Sequence, residues 1–551
     1  MRVQGHWSRI FEPDGRAELE RMLPAALKSA RWFADKAREI RAAIVREATP
    51  FAHETTLSYL TLIEVEFMNG GAKTYVLPWS FSPGRLPGAE QGRRPSLVMA
   101  MEVEQGTAGE PGLLYDALWD EGFVLALLDL IQSNGRIVAE GGWIAGSSPE
   151  GTESIGGSAS SGRPVGCSVM DGEQSNTSVV VGDQSILKLY RQLGEGINPE
   201  LEIGRVLTKM RFPHSPALTG AIEYCRPPQE PVTVATVQRF VENQGDAWRF
   251  SLGAAQEFFS RVAARGLPRC PAHCAGPSPL EGFEEECPGL VRELIGSYLE
   301  SAERLGRRTA DLHVALAQAS ANVNFSPEPA TKEYWMMRYE SQARLTTRTL
   351  GLLRARAPLL PADAQQEAAA VLNLEAVMLA RFLDVRERDL AAWRIRCHGD
   401  YHLGQVLCAG RDFIMIDFEG EPARSLTERR TKHPTMIDVA GMLRSLHYVP
   451  YACLDRKRSE PDASAAGPVE DSEAWAECWS GWTGAGFLKA YISGVSREEL
   501  WPSDREEANV LLLSHLLEKA VYELAYELNN RPGWVRIPLK GILKTLEPAR
   551  R

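Results

Sequence analysis

Three side chains able to do chemistry stand close together late in the chain. Asp400 lies in Arg396-Cys397-His398-Gly399-Asp400-Tyr401-His402-Leu403-Gly404-Gln405, the amide Gln405 follows five residues later, and Asp417 ends the apolar run Phe413 to Ile416, which has strand character. A carboxylate, an amide and a second carboxylate in this order are the parts that phosphoryl transfer requires. One carboxylate accepts the proton of the attacking hydroxyl, while a side-chain oxygen and the other carboxylate hold Mg²⁺ on the phosphates of ATP. Asp400 is therefore the expected general base, and Gln405 and Asp417 are the expected metal ligands. Mg²⁺ prefers oxygen ligands and keeps several waters, so one amide and one carboxylate suffice. Glu419 either binds metal through water or is structural. His398 is expected to order the loop rather than react, and His402 either contacts the acceptor or packs. An Asp after Gly is by itself more often a turn residue; the matching amide and second Asp favour the functional reading.

Upstream, Lys188 lies in the strand-like run Ile186-Leu187-Lys188-Leu189-Tyr190. A strand Lys is usually solvated. With the downstream carboxylates present, this one is expected to reach nucleotide phosphates, steadied by a helix carboxylate. Glu202 is the expected partner and Glu200 the fallback. Glu173-Gln174-Ser175-Asn176-Thr177-Ser178 precedes that run without a G-x-G-x-x-G pattern. Its backbone N–H groups and small side chains (Ser175, Asn176, Thr177, Ser178) either cradle phosphate oxygens or form a plain turn. Gln238 to Val241 is the expected hinge, whose backbone would pair with adenine.

The order His-Gly-Asp resembles small-molecule kinases of the aminoglycoside-phosphotransferase type more than protein kinases, in which Asn stands where Gln405 does and D-F-G where Asp417-Phe418-Glu419 does. The motifs His398 to Gln405, Ile416-Asp417-Phe418-Glu419-Gly420-Glu421-Pro422, Glu428-Arg429-Arg430 and Asp438 to Ser445 resemble those of maltokinases. Arg31-Trp32-Phe33-Ala34-Asp35-Lys36 and Tyr526 to Pro538 extend the resemblance over most of the chain. It implies phosphorylation of maltose at C1 by ATP with Mg²⁺, and a cap module attached to the N-lobe. It also implies an acceptor site near Asp400 and His402, helped by Glu421, Tyr522 and Arg531. Maltokinases commonly work beside trehalose synthase, which supplies maltose, so that enzyme is a candidate partner. Other acceptors on the same fold, glucosamine or an aminoglycoside, stay open, because the motifs describe ATP and Mg²⁺ chemistry more than the acceptor.

The 551 residues suffice for two or three domains. Hydrophobic content of 44% and charged content of 24% are ordinary for a globular chain, and a net charge of −11 argues against a nucleic-acid partner. No apolar run reaches the ~20 residues needed to span a bilayer. Met1 to Glu12 lacks a hydrophobic signal core, and nine scattered Cys suit reduced thiols, so a cytoplasmic location is expected.

These parts need elements to hold them. Residues 15 to 46 read as helical. Leu57 to Phe67 and Lys73 to Trp79 read as a hairpin about Asn69-Gly70-Gly71, Ser80 to Arg94 as a loop and Leu97 to Val103 as a strand. Tyr115 to Gln132 has helical spacing, and Gly146 to Gly166 reads as a flexible loop. Strand-like runs flank Gly182-Asp183, a helix starts at Asn198-Pro199, and Val232 to Val241 is a strand candidate. Helical patterns dominate beyond Gly245, apart from Asp400 to Phe418, and Asp455 to Glu473 reads as a surface loop. The expected architecture is α+β: a two-lobed protein-kinase-like fold with an extra N-terminal cap module (1–100), an N-lobe (101–244) and a mostly helical C-lobe (245–551). Cys270, His273, Cys274 and Cys287 match no zinc spacing and read as ordinary loop residues. Trp475, Trp479 and Trp482, at helical spacing, read as a packed face rather than a sugar platform.

Overall fold

The computed structural model describes residues 1–54, 56–84, 86, 88, 94–105, 108–149, 166–170, 175–278, 280, 284–388, 390–422, 424–459, 471–496 and 499–547. Residues 1–211 with 216–241 form one compact unit, and 212–215 with 242–551 form another.

The first unit holds two sheets. Strands β1 (Arg2–Gln4), β2 (Ile40–His53), β3 (Thr56–Phe67), β4 (Ala72–Ser82), β5 (Val98–Gln105) and β6 (Ala108–Asp116) assemble in the order β1-β5-β6-β4-β3-β2. Strands β7 (Arg136–Val138), β8 (Trp143–Ser147), β9 (Cys167–Val169), β10 (Asn176–Val181), β11 (Ser185–Tyr190), β13 (Leu218–Cys225) and β14 (Val232–Arg239) form the second, ordered β7-β8-β13-β14-β11-β10-β9. Between β11 and β13 the short β12 (Gln192–Leu193) crosses to pair with β4 of the first sheet. The strand that carries Lys188 is thereby continuous with the cap sheet. Arg191, at that junction, forms a buried ion pair with Asp116 at the end of β6.

Helix α1 (Pro13–Ser29) opens with Pro, whose missing N–H costs nothing in a first turn, and buries Leu19, Leu23 and Leu27, spaced four apart on one face. These leucines join Trp7, Trp32, Phe33, Tyr75 and Trp79 in one core. Helix α2 (Glu121–Gln132), capped by the Asp120 carboxylate accepting from Gly122 N at 3.0 Å, packs against β2, β8 and β13 and shares one core with Val179, Leu187, Leu189 and Val237 of the second sheet. That second core also takes Phe51, Leu60, Leu62 and Val76 from the first sheet, so the two sheets share apolar interior.

The helix expected to run to 46 ends at Ser29, and residues 40–53 are β2. Its buried positions alternate with a period of two, and the basic residues face outward, where Arg41 and Arg46 meet Glu66 and Glu64 of β3. Tyr115 belongs to β6, and the following helix starts only at Glu121. A cap boundary at residue 100 would cut β5, since the first sheet runs on to Asp116. Most of the expected loop after Gly146 (150–165) lies outside the described residues.

The second unit is mostly helical: α4 (Ala247–Ala264), α5 (Gly289–Ile295), α6 (Tyr298–Gln318), α7 (Lys332–Arg356), α8 (Ala362–Leu372), α9 (Glu375–Glu387), α10 (Leu426–Arg429), α11 (Met436–Ser459), α12 (Ser472–Val495), α13 (Arg505–Asn530) and α14 (Arg536–Leu546). Two short ladders interrupt them, β15 (Glu328–Pro329) with β16 (Trp393–Arg394) and β17 (Val406–Ala409) with β18 (Asp412–Met415). Residues 455–459 continue α11 and 472–473 open α12, so the loop expected there is shorter; 460–470 lie outside the described residues. Trp475 and Trp479 are fully buried and Trp482 nearly so, which makes them core. The groups among the described residues tight enough to hold a metal do not include Cys270, His273, Cys274 or Cys287.

Candidate active site

In the first unit, Lys188 stands mid-strand in β11, opposite Ser178 on β10 and Thr236 on β14. Its Nζ donates to Glu200 Oε2 at 2.7 Å; Tyr190 OH donates to the same oxygen at 2.8 Å and Gln238 Nε2 to Oε1 at 3.1 Å. Glu200 sits in the first turn of α3 (Pro199–Lys209), whose Asn198 cap accepts from Glu200 N at 2.9 Å. The expected partner Glu202 is thus replaced by Glu200. Two residues of helix rotate a side chain by about 200°, so the two carboxylates face opposite ways and one of them meets β11. Gln238 is the next-to-last residue of β14, laddered to β11 and β13, and its side chain steadies Glu200. Val241 lies just beyond the strand.

Glu173 and Gln174 lie outside the described residues. Ser175 is an exposed bend, while Asn176, Thr177 and Ser178 are the first residues of β10 rather than loop, with Thr177 Oγ1 accepting from Arg191 Nε at 2.9 Å.

In the second unit, the loop 398–402 is fixed from beneath by Asp438, in the first turn of α11. Asp438 Oδ2 accepts from His398 N at 2.7 Å and lies 3.0 Å from His313 Nε2; Oδ1 accepts from Gly399 N at 2.9 Å. Burial works to raise the Asp438 carboxyl, but His313, His398 and the Gly399 N–H outweigh it and hold it below the ordinary value. Gly399 needs its glycine, with φ +85° and Gly420 Cα 3.4 Å from where a Cβ would sit. His398 Nε2 donates to the Ile416 carbonyl at 2.9 Å, and its ring packs on Phe418 and Tyr401. It ties the loop to the β18 end and serves as a positioning residue.

Asp400 is paired with a residue the sequence reading did not single out. Lys519, on α13, donates from Nζ to Asp400 Oδ1 at 3.1 Å and stands 4.0 Å from Glu421 Oε1. Burial pushes the Asp400 carboxyl up, yet Lys519 and His402 prevail and its pKa is lowered. Burial likewise opposes the Lys519 charge, and Asp400 and Glu421 more than restore it, leaving its pKa raised. His402 Nδ1 accepts from Gly404 N at 3.0 Å, so a neutral ring carries its proton on Nε2, 4.0 Å from Asp400 Oδ2. Burial, the largest influence, lowers the His402 pKa.

Gln405 closes the 3₁₀ turn that leads into β17, and its Nε2 donates to Asp417 Oδ2 at 2.8 Å. Asp417 has φ +65°, a left-handed conformation rare outside glycine, of the kind that collects at functional sites. Glu419 lies 4.0 Å from Arg429. The Gln405 amide oxygen and the Asp417 and Glu419 carboxylates would offer an all-oxygen donor set, which would suit Mg²⁺ rather than a soft metal.

The structure therefore gathers Asp400, His402, Glu421 and Lys519 about one point, with the Tyr522 ring 4.9 Å from Lys519 Nζ. Arg531 is not part of this group. It lies just past the end of α13, twelve residues and roughly 18 Å along the helix axis from Lys519, and is committed to Glu527 at 2.8 Å and to the Trp534 ring. Lys519 carries a recognisable but weak signal, a lone cation among Glu518, Tyr522 and Glu523.

Comparisons with known proteins bear on the fold and the cap. Residues 27–120 match the maltokinase N-terminal cap domain. A glucosamine kinase from Streptacidiphilus jiangxiensis is 27% identical over 267 residues, covering 48% of this chain and 54% of that protein. One from Mycolicibacterium smegmatis is 26% identical over 249 residues, covering 45% and 54%. The chain spans about half the length of these curated relatives. A solved glucosamine kinase in complex with glucosamine, ADP and inorganic phosphate superposes with TM-score 0.60 at 17% identity, over 98% of this chain and 100% of that one. A second crystal form gives TM-score 0.62 at 18% identity, with the same coverage. The chain is an α+β, two-lobed protein-kinase-like fold carrying a maltokinase-type N-terminal cap.

Proposed function

We propose that this protein transfers the γ-phosphoryl group of ATP to the anomeric hydroxyl of maltose, giving maltose 1-phosphate and ADP. The observation that carries the reading is the buried loop that presents Asp400 as an ionised carboxylate beside the Gln405–Asp417 pair. Maltose as acceptor draws on the cap match and on the maltokinase motifs.

Lys188, held by Glu200, would bind nucleotide phosphate oxygens. Gln405, Asp417 and Glu419 would hold Mg²⁺, which when bound neutralises charge on the phosphates. Asp400 accepts a hydrogen bond from the sugar hydroxyl and aims its oxygen at phosphorus. As the new O–P bond forms and the bond to the ADP oxygen breaks, the hydroxyl proton passes to Asp400. A lowered pKa makes Asp400 a weak base, which suits a loose transition state in which the proton leaves late.

A second reading, phosphorylation of glucosamine or an aminoglycoside, draws on the two relatives named glucosamine kinase. The deciding experiment assays maltose, glucose, glucosamine and kanamycin with ATP and Mg²⁺, comparing kcat/KM and locating the phosphorylated carbon by NMR. The maltose reading expects the highest kcat/KM for maltose with phosphate on C1. A preference for glucosamine or kanamycin would reject maltose and keep the kinase; turnover with none would reject both.

A further inference from the structure

We propose that Lys519 sets the charge of the acceptor: its ammonium fills the place beside Asp400 and Glu421 that an amino sugar's own ammonium would take, so the site accepts neutral sugars and disfavours cationic ones. This rests on the sugar-kinase reading above and deepens it.

Two acidic side chains stand here, Asp400, the expected base, and Glu421, and they would attract any cationic acceptor if left bare. Lys519 Nζ lies 3.1 Å from one and 4.0 Å from the other, and its side chain is only 23% exposed. The neighbouring carboxylates are matched as well. Glu421 Oε2 accepts from Arg424 Nε at 2.7 Å, Glu518 from Arg338 and from Gln342 at 2.9 Å, and Glu523 from Arg444 at 2.7 Å. A second cation brought to this point would meet Lys519 at short range in a poorly screened setting, where like charges repel strongly. In a 2-amino sugar the ammonium sits on the carbon next to the anomeric one, within a few ångströms of any base that serves the anomeric hydroxyl. A neutral sugar hydroxyl avoids the repulsion, and it can accept from Lys519 and donate to Glu421.

The burden of binding is separable from chemistry with three sugars of one skeleton. Glucose carries a 2-hydroxyl, 2-deoxyglucose carries nothing there, and glucosamine carries an ammonium. Comparing the last two removes the effect of losing the hydroxyl. The experiment measures kcat/KM for all three, with MgATP, in the wild type, in Lys519→Met and in Lys519→Arg. It is run at a pH where the glucosamine amine is charged and at a higher pH where it is neutral. His402, the titratable ring nearest Asp400, has a lowered pKa and stays neutral across that interval, while Lys519 stays charged.

We expect the wild type to favour 2-deoxyglucose over glucosamine by roughly tenfold or more when the amine is charged. The gap should narrow at the higher pH, narrow in Lys519→Met and persist in Lys519→Arg. Absolute rates fall in Lys519→Met, because Asp400 loses its partner; the ratio between sugars is the readout, and a purely structural role would not move it. The pH arm needs no variant, so misfolding of Lys519→Met would leave the test intact. Preference for charged glucosamine in the wild type, or a ratio that neither pH nor Lys519→Met changes, would overturn the inference while leaving the kinase reading in place. Absence of transfer to every sugar would overturn the kinase reading, and this inference with it.

Discussion

Asp400 and Asp438 divide one task between them. Asp438 shapes the loop and Asp400 faces outward from it, and both carboxyls are held below their ordinary pKa. A carboxylate lowered on folding adds stability above its unfolded pKa and loses it as pH falls through the folded value. Stability from both groups should therefore be level through neutral pH and decline only below the usual carboxylate range near about 4. The acid limb of kcat should likewise fall below that range, and Lys519→Met should move it to higher pH. A pH–rate profile checks this shift. Asp438→Ala would strand the His398 and Gly399 N–H groups and His313 without their acceptor. A loss of about 3–5 kcal/mol is expected, read from denaturant midpoints.

At the scale of elements, the Lys188 site is built by the strand β11, the first turn of α3 and the strand β14. Glu200→Gln should weaken nucleotide binding about tenfold or more, and Glu202→Gln should do so much less, measured by titration calorimetry with ADP. Asn198→Ala should cost about 1 kcal/mol as a lost helix cap, seen as a lower Tm. The sequence made much of this legible. The β10–β11 hairpin was marked by strand-like runs flanking Gly182-Asp183, and α3 by Asn198-Pro199. Asp400, Gln405 and Asp417 were legible because they lie in one short segment whose spacing is itself chemical. The pairing of Lys188 with Glu200 was not, because two carboxylates lie in the same helical turn and only the packing of α3 chooses between them. Lys519 was missed, and Asp438 entered only as the start of a motif without a role, for a related reason: each reaches the loop from a distant helix, and the local sequence at best hints at the contact. In β2, Arg41 and Arg46 gave the look of a charged helix, while a strand has room for them on its outer face.

For the whole molecule, the cap is bound into the unit that carries Lys188. The shared core and the β12–β4 pairing both join the two sheets, and Arg191 forms its buried ion pair with Asp116 where they meet. Removing residues 1–100 would take away Phe51, Leu60, Leu62 and Val76 and expose the apolar face beneath, so the truncated chain should aggregate rather than fold. Arg191→Met should cost about 3–5 kcal/mol by leaving Asp116 buried and unpaired, and a thermal melt would show it. No helix among the described residues is long and apolar enough to cross a membrane.

Phosphoryl transfer to a sugar hydroxyl with Asp400 as its base is open to direct observation. Phosphorus NMR tests it most directly, following wild type and Asp400→Asn incubated with ATP, Mg²⁺ and maltose, with ADP binding measured in parallel. A sugar-phosphate signal coupled to the anomeric proton is expected in the wild type. In Asp400→Asn the rate of its appearance should fall by orders of magnitude while ADP still binds. Near-normal product from Asp400→Asn, or no sugar phosphate from a folded wild type that binds ADP, would contradict it.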